Sequence, residues 1–282
     1  ETRKPNPVDA RMYYQIGNDY YERGDYEKAI ENYNMAILLN PIFSEAYFNR
    51  ALSHYQLKNF DRAVTDYGKS AELDPNNPII YNNRGDAYYR KQDFNSAIKD
   101  YDKAISLNPN YLKAFYNRGL SYASLEDYDK AVADFSKVIE LKADFAEAWH
   151  LRGLAYEYGG DLDNAVKDYE KAIELSPGFS EAKAHLEAVK SKKQQAGGEG
   201  RPLLEEGGVI LEGGPEEQAR GELEHIPGRL QRSQDHQQDR ESRPDQHQPE
   251  EKQAQGGQPE RSMHRGPASS GTSGKGRRTR SG

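Results

Sequence analysis

Residues 78–111 read PIIYNNRGDAYYRKQDFNSAIKDYDKAISLNPNY, and residues 112–145 read LKAFYNRGLSYASLEDYDKAVADFSKVIELKADF. Laid over one another, the two segments share Asn, Arg and Gly at the sixth to eighth places, Asp at the sixteenth and Ala at the twentieth. They also share Asp followed by an aromatic ring at the twenty-third and twenty-fourth. The same step of 34 runs outward in both directions. It carries Pro7, Pro41, Pro75, Pro109 and Pro177, with Ala143 in the vacancy, and Ala29, Ala63, Ala97, Ala131 and Ala165. Rings recur as Tyr33, Tyr67, Tyr101, Phe135 and Tyr169, and small residues as Gly17, Ala51, Gly85, Gly119 and Gly153. Five units follow, 10–43, 44–77, 78–111, 112–145 and 146–179.

Each unit reads as two helices. In the first half Tyr13, Tyr47, Tyr81, Phe115 or Trp149 stands four residues before the small residue, and a ring (Tyr20, His54, Tyr88, Tyr122, Tyr156) three after it. Offsets of four and three make one helical stripe. A break follows at Asp25, Asn59, Asp93, Asp127 or Asp161, short acceptors that can cap a second helix. The second half repeats the stripe, and Pro ends the unit because it cannot continue a helix. The small residues let the two helices approach, and rings fill the remaining space.

A 34-residue helix–turn–helix period resembles the tetratricopeptide repeat family. The resemblance spans residues 10–179 and implies an all-α, right-handed superhelical solenoid of antiparallel helix pairs. Residues 180–195 read as a polar-faced capping helix. Residues 1–9 contain Asn6-Pro7, an echo of the unit ending. They are expected to be either a borrowed capping turn or the end of an upstream repeat. The departures from the family are Ala143 for Pro, Ser70 and Val138 for Ala, and Arg for Leu at the seventh place of units 2–5. Arg50, Arg84, Arg118 and Arg152 appear together with Asp66, Asp100, Asp134 and Asp168 sixteen residues later. Unit 1 lacks both and has Ile16 and Asn32. This joint loss predicts an ion pair between the two helices of each unit, Arg acting as a bidentate clamp.

In the family, the first helices line a concave wall. Carried over, the resemblance assigns that wall Gln15, Asn49, Asn83, Asn117 and Leu151 at the sixth place. Asn49, Asn83 and Asn117 then resemble the asparagine ladder in the repeat domain of O-linked N-acetylglucosamine transferase, which grips extended polypeptide through donor and acceptor together. Rings Tyr14, Tyr21, Phe48, Tyr55, Tyr89 and Tyr116 are expected around it as binding hot spots, the alternative being that some pack between repeats. Arg11, Arg90 and Lys113 stand against Glu22, Glu45, Asp86, Glu147 and Glu157, a mixed, slightly acidic wall. A co-chaperone carboxylate clamp is incomplete. Asn49, Asn83 and Lys113 fit it, but Asn117 stands where Arg is needed.

Composition narrows the chemistry. The chain has 282 residues, no Cys and a formal charge of −7, which removes disulfides, thiolate nucleophiles and Cys-ligated zinc and argues against nucleic acid as partner. No apolar run approaches the ~18 residues of a membrane span. No cofactor, metal or catalytic constellation is expected: there is no His-Glu-x-x-His, P-loop or nucleophile elbow, and His54 reads as a packed ring. The averages hide a boundary near 196. The 29 aromatic residues all lie at or before Phe179, and 16 of the 25 Gly lie in 197–282. That tail is expected to be disordered and low in complexity. Its loss of Tyr, Phe and Asn together with a switch from Lys to Arg would also fit a frame-shifted or chimeric origin. Because residue 1 is Glu, the chain is expected to be processed or a fragment. A soluble, cytoplasmic location is favoured, with secretion left open. The sequence therefore predicts a non-enzymatic module that binds another protein or peptide. The alternatives are a self-associating scaffold, a co-chaperone and a regulatory domain of a larger enzyme.

Overall fold

The structure, a computed structural model, describes residues 7–198, and every described element is a helix. Five helix pairs follow in order: α1 Pro7–Glu22 with α2 Tyr26–Leu39, α3 Ser44–Gln56 with α4 Phe60–Leu73, and α5 Pro78–Arg90 with α6 Phe94–Leu107. α7 Leu112–Ser124 pairs with α8 Tyr128–Leu141, and α9 Ala146–Tyr158 with α10 Leu162–Leu175. α11 Ser180–Gly198 packs on α10 and closes the array. Each helix packs chiefly on its neighbours in sequence, the pattern of an all-α solenoid. First helices of successive units also touch, α1 with α3 and α5 with α7, so the first helices form its tighter, inner side. The tail readings, including its disorder and its origin, fall outside the described residues, as do residues 1–6.

The turns inside the units are built alike. Asp25, Asp93, Asp127 and Asp161 cap the second helix, each carboxylate accepting from the backbone N–H three residues on; Asn59 makes no such side-chain bond. One residue per turn takes left-handed backbone: Gly24 at φ 78°, Lys58 at 59°, Gln92 at 60°, Glu126 at 61° and Gly160 at 88°. Inside each pair the eighth-place small residue lies beneath the twenty-fourth-place ring. A methyl carbon on Gly85 would stand 2.6 Å from Tyr101 Cε1, and one on Gly119 2.9 Å from Phe135 Cε1. These contacts fix the spacing of the helices, and Tyr33, Tyr67, Tyr101, Phe135 and Tyr169 are all essentially buried there. Among the described residues no helix is long and apolar enough to cross a membrane.

Candidate functional site

The four Arg–Asp sets lie within hydrogen-bond reach in the same fork geometry. Nε and Nη2 of Arg50, Arg84, Arg118 and Arg152 donate to the two carboxylate oxygens of Asp66, Asp100, Asp134 and Asp168 at 2.6–2.8 Å. The carboxylates are buried. Desolvation pushes Asp100 and Asp134 up from the ordinary carboxylate range, against the pull of their arginines. A third nitrogen reaches back into the preceding unit. Nη1 of Arg50 donates to Asn34 Oδ1 at 2.7 Å, that of Arg118 to Asp102 at 2.6 Å and that of Arg152 to Ser136 Oγ at 3.0 Å. Gly68 occupies the corresponding place before Arg84. Each clamp therefore joins two helices of its own unit, and three of the four also tie that unit to the one before.

The asparagines sit deeper than the sequence suggests. Asn49 and Asn83 are buried, at 6% and 5% exposure, and Asn117 is half-buried. Asn49 Nδ2 donates to Tyr14 Oη at 3.0 Å and Asn18 Oδ1 at 2.8 Å. Asn83 Oδ1 accepts from Asn82 Nδ2 at 3.3 Å, and its side chain lies against the Tyr67 hydroxyl. Asn117 Nδ2 donates to Asp86 Oδ1 at 2.8 Å and Asn82 Oδ1 at 3.4 Å. The physical reason is the approach of successive first helices, which brings the sixth place of one unit onto the fifth and ninth places of the unit before. Amides expected to face a peptide are used to hold unit to unit, and only Asn117 keeps part of its surface.

Four of the expected wall rings are core rings: Tyr21 is 7% exposed and lies edge-on to Tyr26, and the other three stand at the fifth place of their units. Tyr14, Phe48 and Tyr116 are 7%, 4% and 3% exposed. Each packs on the twenty-fourth-place ring of its own unit, with centroids 6.0 Å apart for Tyr14–Tyr33, 5.5 Å for Phe48–Tyr67 and 6.2 Å for Tyr116–Phe135. Tyr14 and Tyr116 also meet Phe43 and Phe145, the last residues of their units and the N-caps of α3 and α9. Tyr55 and Tyr89 stay half-buried, edge-on to Phe60 and Phe94. A second series of rungs ties their hydroxyls to the following unit. Gln56 Nε2 donates to Tyr21 Oη at 3.4 Å, Arg90 Nε donates to Tyr55 Oη at 3.1 Å, and Tyr89 Oη shares a hydrogen with Ser124 Oγ at 3.5 Å. Lys113 is half-buried on α7 and Arg90 half-buried at the end of α5.

The sequence reading missed this inter-unit seam, although a signal exists. The ninth place reads Asn18, Leu52, Asp86, Leu120 and Leu154. Where it is an acceptor it takes the buried hydroxyl of its own unit, Tyr33 Oη to Asn18 Oδ1 at 2.8 Å and Tyr101 Oη to Asp86 Oδ1 at 2.7 Å. Where Leu120 stands there, the ring is Phe135 and has no hydroxyl to satisfy. Tyr169, opposite Leu154, donates instead to Glu157 Oε2 at 2.8 Å. Buried hydroxyls need partners, and where Leu at the ninth place faces a Tyr, as in units 2 and 5, the hydroxyl is met from elsewhere, Tyr67 by Asn83 and Tyr169 by Glu157.

The models of the tetratricopeptide repeat family match residues 14–78, 112–145 and 146–179, and a further TPR repeat model matches 85–126. No curated protein matches the chain. One solved structure of MamA is 30% identical, covering 59% of this chain and 97% of its own, with a TM-score of 0.56. A second MamA structure is 29% identical over 61% of this chain and 94% of its own, with a TM-score of 0.58. YrrB, described as a TPR protein with an unusual peptide-binding site, is 22% identical over 67% of this chain and 94% of its own, TM-score 0.57, a likeness of fold.

Proposed function

Because the chain belongs to the tetratricopeptide repeat family, we propose that it is a non-catalytic interaction protein whose inner face holds an extended segment of another polypeptide. Repeat scaffolds of this family generally serve as binding modules, and one scaffold hosts many partners. The observation that carries the reading is a strip of half-buried side chains on successive first helices. Tyr55 lies on α3, Tyr89 and Arg90 on α5, and Lys113 and Asn117 on α7. Rings, an amide and two cations in one strip offer apolar contact and main-chain hydrogen bonds without demanding one side-chain sequence. The buried Asn49 and Asn83 support this strip from behind.

The test is a random peptide library displayed and panned against the full chain. Peptides selected on the native protein are expected to lose at least about tenfold in affinity to a variant carrying Arg90→Ala and Asn117→Ala, roughly 1.4 kcal/mol. They should bind unchanged to Lys103→Ala, an exposed second-helix residue. Equal binding to both variants removes the inner-face reading.

A second reading, self-association, is favoured by one observation. In units 2, 4 and 5 the second helix carries an exposed Lys–Glu pair, Lys69–Glu72, Lys137–Glu140 and Lys171–Glu174. Unit 1 has Met35 and Leu38 at those places and Ile42 beyond them, 38%, 70% and 75% exposed. Sedimentation over a range of concentrations decides it. Association that Leu38→Glu abolishes supports the reading, and a monomer at every concentration sinks it.

A further inference from the structure

Three departures of unit 2 from its sister units fall in one place. At the eleventh place, units 3–5 carry Tyr88, Tyr122 and Tyr156, and the last two rings cover the flank of their clamp arginines, 5.9 Å from Arg118 and 5.8 Å from Arg152. Unit 2 has the smaller His54. At the sixteenth place the other units carry Asp, and unit 2 has the neutral Asn59. At the nineteenth place Lys28 and Lys130 are each taken up by the Asp of their own turn, Asp25 at 2.7 Å and Asp127 at 2.5 Å. Unit 2 has Arg62 there, with no acidic cap beside it, and no described residue forms an ion pair or hydrogen bond with its guanidinium.

A cleft of about 290 Å³ opens at this point between α2, α3 and α4. Ile30 and Asn34 form one side, Arg62 and Thr65 the other, with His54 and the Arg50–Asp66 clamp between them. Arg50 spends Nε and Nη2 on Asp66 and one Nη1 hydrogen on Asn34, which leaves two of its five N–H groups unspent. Two guanidinium groups against one carboxylate give the wall one net positive charge. His54 adds none near neutral pH: burial lowers its pKa, and the two arginines lower it further against the opposing pull of Asp66. The cleft thus offers planar, bidentate donors, a single uncompensated charge and an apolar patch at Ile30. A divalent anion would exceed that charge and lie beside Asp66, whereas a carboxylate matches it.

We propose that this cleft binds a monovalent carboxylate, its oxygens on Arg62 and the unspent N–H groups of Arg50 and its apolar body against Ile30. The cleft shares no residue with the inner-face strip and stands whether or not that strip binds peptide. Benzoate is the probe, titrated into the full chain while the backbone amides of α3 and α4 are followed by NMR. Saturable shifts with a dissociation constant on the order of millimolar are expected, as suits so small a ligand. Asn59→Asp, which supplies Arg62 with the capping partner its sister units have, and Arg62→Gln should each weaken binding about tenfold. His54→Tyr, which restores the ring of units 3–5, should abolish it. An acetylated, amidated tripeptide with one central Glu identifies the source: tighter binding than benzoate assigns a chain-borne carboxylate, and weaker binding assigns a free acid, both within the proposal. Inorganic phosphate binding more tightly than benzoate, or benzoate binding equally to the native chain, Asn59→Asp and His54→Tyr, would overturn it.

Discussion

Tyr116 shows what a missing rung does. Its hydroxyl is buried without a partner, because Leu151 stands 35 residues on, where Asn49 stands for Tyr14. An unsatisfied buried hydroxyl costs about 1–3 kcal/mol, so Tyr116→Phe is expected to stabilise the fold by about 1 kcal/mol. A rise in the urea midpoint at unchanged slope would register it, and Phe48 at the same place of unit 2 shows that the ring alone fits. The left-handed turn residues obey the same positional logic. Gly24 and Gly160 adopt positive φ freely, while Lys58, Gln92 and Glu126 hold it against Cβ crowding. Gln92→Gly is expected to add about 0.5–1 kcal/mol, whereas Gln92→Ala, which keeps its Cβ, should not. Thermal unfolding of the two variants compared with the native chain reads the difference. At this scale the sequence was informative about partners that share one unit. The joint absence of Arg and Asp from unit 1 marked the clamp. The depth of Asn49 and Asn83 was not legible, because it depends on how closely successive first helices approach, and that distance is set by residues of the preceding unit.

Elements are joined by those clamps more than by any exposed ion pair. Asp134 is 4% exposed, and removing Arg118 would strand its carboxylate in a desolvated site. Arg118→Ala is therefore expected to cost about 3 kcal/mol. The contact from Arg118 to Asp102, whose side chain is about half exposed, belongs to the weak class, and Asp102→Ala should cost under about 1 kcal/mol. Chemical denaturation of both variants separates the intra-unit clamp from the tie to the unit before. A loss from Asp102→Ala as large as that from Arg118→Ala would mean that the inter-unit tie carries the stability. The helices and their caps were legible because the 34-residue period repeats each stripe five times. The wall rings were misplaced because a stripe gives a direction on the helix, and the fifth place points into the seam between units rather than into the groove. The cleft at His54 was hidden for a different reason. Its residues come from three helices, and only when α2, α3 and α4 are packed do the separate departures at His54 and Arg62 line one cleft.

The whole array is held by nearest-neighbour packing, and its core divides into local clusters. The last of these runs from α7 into α11, where Val189 is fully buried. An array of this kind opens from its ends, so the seal between unit 5 and α11 governs the C-terminal end. That seal is built around His150, 4% exposed, with its Nε2 unpartnered. Its ring touches Phe179, Tyr169 and His185, with centroids 4.8, 5.7 and 5.3 Å away. Glu181 draws on it from α11, and Glu157, shared by Tyr169 and Lys192, lies 3.8 Å from His185. Burial, with His185 adding to it, pushes the His150 pKa down to about 3 from an ordinary value near 6.5. The lowered pKa means that the unfolded chain takes up the proton first. The seal is thus at full strength above about pH 6.5 and weakens as pH falls towards 3, by roughly 2 kcal/mol at pH 5. Hydrogen exchange at pH 7.5 and pH 5, corrected for the intrinsic rate, should show protection falling in α9–α11 more than in α3–α6. His150→Phe, which places at this position the ring that Phe48 provides in unit 2, should remove the difference. Protection falling equally along the array, or an unchanged loss in His150→Phe, would place the acid sensitivity in other groups and leave the end seal without a titrating centre.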